Sequence, residues 1–584
     1  MIKNIFRKKF FKKRQSGGEI NPEDIFMDSS NLPGLDTERM EGTFDRPISS
    51  FMEFLPLFVL IIVFSIFSYR LFTIQIQNYD FYKEKSDNNR YNAKLIIANR
   101  GEIYDRNGEI LAKNTNVPYS DILKREYIET PGFSNFLGYV SSPKKDNLDN
   151  FWQDTYIGKD GIELFYDELL TGVNGKRIVE KDVRSSVESE NLIVKPVPGA
   201  DLTLTIDSAL QEKLYSSIRN WVNSKGFISG AGIIMDVNNG EVFALASYPE
   251  YNNNLMTNAS TTEEKKEVAE SLLDKRTPFL NRVTSGLFTP GSVVKPFMAY
   301  GALNEGVISP DKKLLSKGAI VIENKYGGPD TVFRDWKVHG WVNVVEAIAV
   351  SSDEYFYQVG GGYQEQKGLG ITKIDEYAKL FGLSTPTGID LPGEISGVIP
   401  TPDWKRINFI DGEWRLGDTY HTSIGQFGFQ LTPAELVRYT ASIANNGKLV
   451  TPHLFLSATS SNELSNKELI NQFNNKVWNI QNLNLNQNSL KYVKQGMKNV
   501  VLPGGTVSQL NIPGLDVAAK SGTAEIGVVK GRVNSLMVGY FPYENPKYAF
   551  AVILENGPVD APGASWAIKP VLEYIAENGE QYLD

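Results

Sequence analysis

GAGIIMDVNNGEVFALAS (Gly230–Ser247) is the stretch on which the fold turns. Its halves are apolar runs of strand length joined through Asn238-Asn239-Gly240, and Asn and Gly tolerate the positive φ that a tight hairpin needs. Upstream, LTLTID (Leu202–Asp207) alternates as a strand does, and a helical pattern follows from Ser208 to Val222. Near the other end, SLMVGYF (Ser535–Phe541) and YAFAVILEN (Tyr548–Asn556) pair as a second hairpin across Tyr543–Lys547. Ile568, Val571, Leu572 and Ile575 then place an apolar face on a last helix that would lie on that sheet. A long helix-rich stretch separates the hairpins. Strands at both ends and helices between them predict an α+β fold over residues 206–584, an antiparallel sheet packed against flanking helices.

Before this region, residues 77–205 mix short extended runs with turn clusters such as Asp105-Arg106-Asn107-Gly108 and Gly172-Val173-Asn174-Gly175, and are read as a mixed, extended domain. Further upstream, FLPLFVLIIVFSIFSY (Phe54–Tyr69) carries no charge, and a snorkelling Arg70 lets the apolar stretch continue to Ile76. That is enough to cross a bilayer, so residues 51–76 are read as a single transmembrane helix. A cleaved signal peptide would place its apolar run near the start and follow it with small residues, which is not the pattern here. Residues 1–14 hold seven cations and no acid, residues 19–45 form an acidic linker, and the tail of residues 1–50 is assigned to the cytoplasm. The basic arm is either a solvated charge run or a patch drawn to an anionic leaflet. Cations flank both ends of the span, so orientation rests on a short inner tail with the bulk of the chain outside a bacterial cytoplasmic membrane.

The 584 residues carry 60 Lys and Arg against 69 Asp and Glu, a net charge of −9, with no cysteine. The acidic balance gives no footprint for nucleic acid. Without cysteine there is no disulfide framework, thiolate metal site or thiol nucleophile. His339, His421 and His453 are too scattered for a clustered-histidine metal centre, so no metal and no cofactor are expected.

What remains is a serine activated by a neighbouring base. Four Ser-x-x-Lys matches occur: Ser141/Lys144, Ser142/Lys145, Ser292/Lys295 and Ser309/Lys312. Three sit in polar or proline-containing loops and read as surface pairs. Ser292 follows Thr289-Pro290-Gly291 and opens SVVKPFMAYGAL, a helix apolar on nearly every side and therefore buried. Ser292 and Lys295 share one face, and a buried lysine that leans toward its neutral form suits a general base. A capping serine with a snorkelling lysine is the competing reading. Ser351-Ser352-Asp353 puts a hydroxyl and a carboxylate two apart before an aromatic helix, and by itself is also an N-cap signal. Lys520-Ser521-Gly522-Thr523 continues an alternating run. A glycine inside a strand marks a close backbone approach, here read as a substrate laid along an edge strand.

The order and rough spacing of Ser292-x-x-Lys295, Ser351-x-Asp353 and Lys520-Ser521-Gly522 resemble those of penicillin-binding proteins and serine β-lactamases. RGEIYDRNGEILA (Arg100–Ala112) and GKDGIELFYDELLTGVNG (Gly158–Gly175) are similar to the pedestal (dimerisation-type) motifs of class B, monofunctional transpeptidases. GIDLPGEISGVIPTPDWK (Gly388–Lys405), GDTYHTSIGQ (Gly417–Gln426) and LTP (Leu431–Pro433) look most like the elongation-type, penicillin-binding protein 2 group. The resemblance runs from the membrane span to the last strand. It implies a D,D-transpeptidase that cross-links peptidoglycan stem peptides through a serine acyl-enzyme and is acylated by β-lactams, working with a SEDS-type glycan polymerase and membrane proteins of the elongation complex.

Carried onto these positions, the resemblance implies that Ser292 attacks the penultimate D-alanine carbonyl while Lys295 accepts its proton. Ser351 relays a proton to the leaving amine, and backbone N–H groups of Ser292 and Thr523 form the oxyanion hole. Lys520, Ser521 and Thr523 hold the terminal carboxylate beside Gly522. Asp353 is expected to pair mainly with a lysine other than Lys295, or to be partly protonated, because a carboxylate beside the base would blunt it. The chain departs from the family pattern at Phe427, where a glycine is usual, at Asn534-Ser535, where a histidine-containing pair is common, and at Asp353, where Asn is more widespread. Some elongation-type members hold a structural zinc through Asp, His and Cys. Asp335 and His339 lie in the similar region, but the chain has no cysteine and no metal is predicted. The competing functions are a β-lactamase, for which no deacylating base is identified, a non-catalytic scaffold or β-lactam sensor, and a septal rather than elongation role.

Overall fold

The computed structural model describes residues 50–80, 82–83, 91–118, 120, 122–147, 150–181, 187–324, 327–460, 467–526 and 531–583. The basic arm and the acidic linker lie outside them. The chain forms two compact units, Met1–Tyr91 and Asn92–Asp584. In the first, helix α1 (Ser50–Phe72) runs into a π-helical turn, Thr73–Gln77. The segment Leu55–Gln77 is long and apolar enough to cross a membrane, and none of it is buried.

In the second unit, residues from both sides of position 205 share one hydrophobic core. Strands β1 (Ile103–Tyr104), β2 (Ile110–Thr115) and β3 (Lys124–Tyr127) lie beside β4 (Asp201–Leu204), and the strand Phe455–Thr459, far away in sequence, closes that sheet against β4. The β1–β2 hairpin is set by Asp105, whose Oδ1 accepts from the backbone N–H groups of Asn107 and Glu109 at 2.8 Å each, an Asx-type turn. The two pedestal-like motifs meet in a buried ion cluster. Arg100 Nε donates to Glu163 Oε2 at 2.5 Å and Arg125 Nε to Glu163 Oε1 at 2.8 Å, all three side chains being fully buried.

The catalytic-type region contains helix α2 (Ser208–Lys225), one turn longer than its apolar pattern predicted, and strands β5 (Ser229–Asp236) and β6 (Val242–Tyr248). Gly240, at φ +90°, makes the expected turn. Strands β7 (Ala518–Glu525), β8 (Arg532–Phe541) and β9 (Tyr548–Pro558) complete an antiparallel sheet in the order β6-β5-β9-β8-β7. Both hairpins expected from sequence are therefore neighbours in one sheet, with Gly232 opposite Val552 and Lys520 opposite Val538. Helix α2 packs on one face with the last helix, Ala564–Glu577. Gly230 and Gly232 permit this approach, since a Cβ at Gly230 would stand 2.7 Å from Ile218. The helix Pro433–Ala444, buried along its whole length, supports the other face under β5, β8 and β9. This leaves β7 as an edge strand facing the helical region.

Candidate active site

Ser292 does not open an α-helix directly. It lies in a 3-10 turn, Gly291–Val294, and helix α3 (Lys295–Asn304) begins only after it. Pro296 explains the difference. It has no N–H to donate to Ser292 O, so the Lys295 N–H closes the shorter turn onto that carbonyl instead. The turn is jammed against β7. Gly291 has φ +57°, and a Cβ there would stand 2.6 Å from Thr523 O and 3.3 Å from Thr523 N. A Cβ on Gly522 would meet Pro290 O at 2.6 Å. The backbone that comes close at Gly522 is thus the turn that carries Ser292, not a substrate, which corrects the sequence reading of that glycine.

Ser351 and Ser352 stand between two helices and divide the work. Ser351 ends α4 (Val344–Val350) in the left-handed conformation, φ 56° and ψ 40°. Ser352 caps α5 (Asp353–Gly361), its Oγ accepting from Tyr355 N–H at 3.2 Å. The cap reading of this tripeptide thus belongs to Ser352, while Ser351 is left to face the two lysines.

Lys295 Nζ, fully buried, donates to Ser351 O at 2.8 Å, to Ser351 Oγ at 3.3 Å and to Asp353 Oδ1 at 2.6 Å. Among the described residues no hydrogen bond joins it to Ser292 Oγ. The expectation that Asp353 would pair mainly with another lysine is overturned: its partner is Lys295. The other lysine is occupied elsewhere, Lys520 Nζ donating to Ser351 Oγ and to Ser521 O at 2.8 Å each. Burial pushes the Lys520 amine well below the usual lysine range, the charge of Lys295 pushes it further down, and Asp353 opposes both. The arrangement is a row of two amines and a carboxylate with the Ser351 hydroxyl between the amines. Lys295 is ion-paired with Asp353, and the Lys520 amine leans toward neutral. Such a row can carry a proton along it.

Ser292, Ser351, Asp353, Ser521, Gly522 and Thr523 all line one cleft of about 1090 Å³. A shallower depression of about 530 Å³ near Leu164 and Phe165 contains none of them. Sequence reasoning missed the strap that braces the Ser351 turn. Asp335 Oδ2 accepts from Ser352 Oγ at 2.8 Å and from Glu354 N–H at 2.9 Å, and Trp336 Nε1 donates to Ser351 O at 3.3 Å. Nothing in the composition of that loop marks it.

The strap also bears on zinc. Asp335 Oδ1 is taken by the Trp336 N–H, Oδ2 by the two bonds to the Ser351 turn, and His339 Nε2 lies 3.5 Å from Oδ1 with no hydrogen-bond partner. No group of three or more His, Cys, Asp or Glu residues converges among the described residues. The residues present do not fit a zinc site.

The model of the penicillin-binding protein transpeptidase domain matches residues 230–575, more than half of the chain, and that of the penicillin-binding protein dimerisation domain matches residues 116–204. The chain belongs to the penicillin-binding protein transpeptidase family. Its α+β sheet with flanking helices is that family's fold. Among relatives, the peptidoglycan D,D-transpeptidase MrdA of Salmonella typhimurium is 29% identical, over 88% of this chain and 94% of that one. The crystal structure of Pseudomonas aeruginosa PBP2 in complex with WCK 5153 aligns at 30% identity and TM-score 0.65, covering 82% of this chain and 96% of that one. Helicobacter pylori PBP2, solved in complex with MreC, aligns at 25% identity and TM-score 0.67 over 84% and 99%. Residues of all three motifs line or reach this cleft, and Phe427 stands in its wall.

Proposed function

We propose that this penicillin-binding protein is a peptidoglycan D,D-transpeptidase of the elongation type, and that Ser292 is its nucleophile. The observation that carries the reading is the convergence of Ser292, Lys295, Ser351, Asp353 and Lys520 on one cleft beside an edge strand. Ser292 Oγ forms a bond to the penultimate D-alanine carbonyl carbon, and the bond from that carbon to the terminal D-alanine nitrogen breaks. The serine proton passes through Lys295 and Ser351 to the leaving amine, while Lys520, by leaning neutral, takes up the proton that Lys295 must first give away. An amine of a second stem peptide then attacks the ester, and its proton returns along the same row.

Backbone N–H groups of Ser292 and Thr523, brought together by Gly291 and Gly522, suit an oxyanion hole, worth about 3 kcal/mol per donor in comparable sites. Lys520, Ser521 and Thr523 would hold the terminal carboxylate. Residues 1–50 serve as a cytoplasmic tail and 51–76 as the anchor, with 77–205 as pedestal and 206–584 as the transpeptidase domain outside the membrane. MreC complexed with the Helicobacter protein supports elongation-complex membrane proteins as partners, and a SEDS-type polymerase fits the same role. Incubating the full chain in detergent with a fluorescent penicillin tests the reading: covalent label on the wild type and none on Ser292→Ala supports it, and equal label on both removes the assigned nucleophile.

A further inference from the structure

Phe427 has φ +59°, the left-handed region that a bulky residue seldom adopts. Strain of this kind persists only where the surroundings dictate it. Here they do. The ring stacks on Phe409 at 5.7 Å between centroids and 20° between planes, and meets Trp404 and Trp414 edge-on at 5.9 and 5.8 Å. Lys405 Nζ stands 5.5 Å over the ring, and that amine is itself fixed by Glu413 O at 2.6 Å and by Asp418 at 2.8 Å. The next residue must be glycine, since a Cβ on Gly428 would fall 2.2 Å from the Trp404 ring. Four side chains and one glycine thus hold a phenylalanine in an unfavourable conformation, with the residue in the wall of the cleft.

The neighbouring Gln426 donates to Thr523 O at 3.5 Å, and Phe427 lines the same cleft as Ser521, Gly522 and Thr523 of the strand along which a substrate would lie. Two features narrow what it touches. A carboxylate is served by Lys520 and Ser521 and gains nothing from an apolar face. An incoming acceptor presents an amine, which an apolar ring does not serve, and Lys405 Nζ already stands over the ring. The acyl side of the scissile bond remains.

We propose that Phe427 is a specificity-determining residue whose ring receives an aryl or branched alkyl group carried on the acyl donor. The inference deepens the acyl-transfer reading of the cleft and rests on it. Two penicillins separate its parts: benzylpenicillin, which carries a phenylacetyl group, and 6-aminopenicillanic acid, which has the same ring system without one. Second-order acylation constants are measured for the full-length wild type, Phe427→Gly and Phe427→Tyr in detergent. Glycine suits the left-handed backbone, so the fold is retained, and thermal unfolding checks this. The ratio of the two constants falls about ten-fold in Phe427→Gly through loss of benzylpenicillin reactivity alone, a typical discrimination for one apolar group, and stays at the wild-type value in Phe427→Tyr. An unchanged ratio in Phe427→Gly, or an equal fall of both constants, overturns the assignment while leaving the acyl-transfer reading intact. Failure of both compounds to acylate the wild type takes down both.

Discussion

Replacing Asp353 by Asn removes the carboxylate that, alone among the described residues, pairs with Lys295, while keeping the shape and one accepting oxygen. The ion pair is 2.6 Å long, with a fully buried amine and a carboxylate that is only 20% exposed. At that separation and an effective dielectric of about 20 the charge–charge attraction is roughly 6 kcal/mol. The amide oxygen still accepts a hydrogen bond, and the row can shed a proton, so the net loss falls to about 3 kcal/mol, the lower end for breaking a buried pair. Spread over a catalytic region of about 350 residues, with an unfolding entropy near 2.1 cal/mol/K per residue, that is a fall in Tm of about 4 °C. The deficit grows as pH falls through the range in which Lys520 takes up its proton, because Asp353 no longer offsets that charge.

The same substitution acts on chemistry. Lys520 is pushed down by burial and by Lys295 and up by Asp353, so without the carboxylate it titrates at lower pH still. On the proposed proton path, the acylation rate is expected to rise with pH as Lys520 loses its proton. In Asp353→Asn this rising limb therefore moves toward acid. Stopped-flow acylation by a chromogenic β-lactam across the pH range, with thermal unfolding on the same samples, reads both effects. A limb that stays in place and a Tm within error of wild type would refute the coupling drawn among Lys295, Asp353 and Lys520.

Two other substitutions probe the frame around the site. Glu163→Gln strands Arg125 in the core and leaves Arg100 with Asp167, 2.7 Å away, as its remaining carboxylate, and costs about 3 kcal/mol, read as a lowered denaturation midpoint. Burial pushes the Glu163 carboxyl up, but the charges and hydrogen bonds of Arg125 and Arg100 outweigh it and hold it below the usual range. Its stabilisation is therefore full above the ordinary glutamate pKa and is lost as pH falls through the depressed one, so the variant and wild type converge in stability at strongly acidic pH. Gly522→Ala drives a methyl into Pro290 O and Val293, shifts the nucleophile turn, and slows acylation by at least about 100-fold with little loss of secondary structure by circular dichroism.

Much of the site was legible because its residues come as short local patterns. Ser292 with Lys295, Ser351 with Asp353, and Lys520 with Gly522 each sit within a few positions, and the hairpins and last helix announce themselves by period. The parts that stayed hidden depend on distant partners or on single dihedral angles. No local pattern pairs Leu202 with Ala458, so the closing strand of the first sheet could not be foreseen. The left-handed turn at Ser351 has no glycine or asparagine to mark it, and Trp336 gains its role only by reaching Ser351 across the fold. The pairing of Asp353 was misjudged because sequence gives the members of a charged cluster but not which amine lies nearer. Pro296 was visible from the outset, yet its consequence, a 3-10 turn at the nucleophile, follows only from tracing which N–H the Ser292 carbonyl receives.

The central claim is that Ser292 carries the acyl group. Intact mass measurement of the full-length protein after exposure to benzylpenicillin, followed by peptide mapping, tests it directly. A single added penicilloyl mass is expected on the peptide containing Ser292 and none on Ser292→Ala. A stoichiometric adduct on any other residue, or on the Ser292→Ala protein, would contradict it.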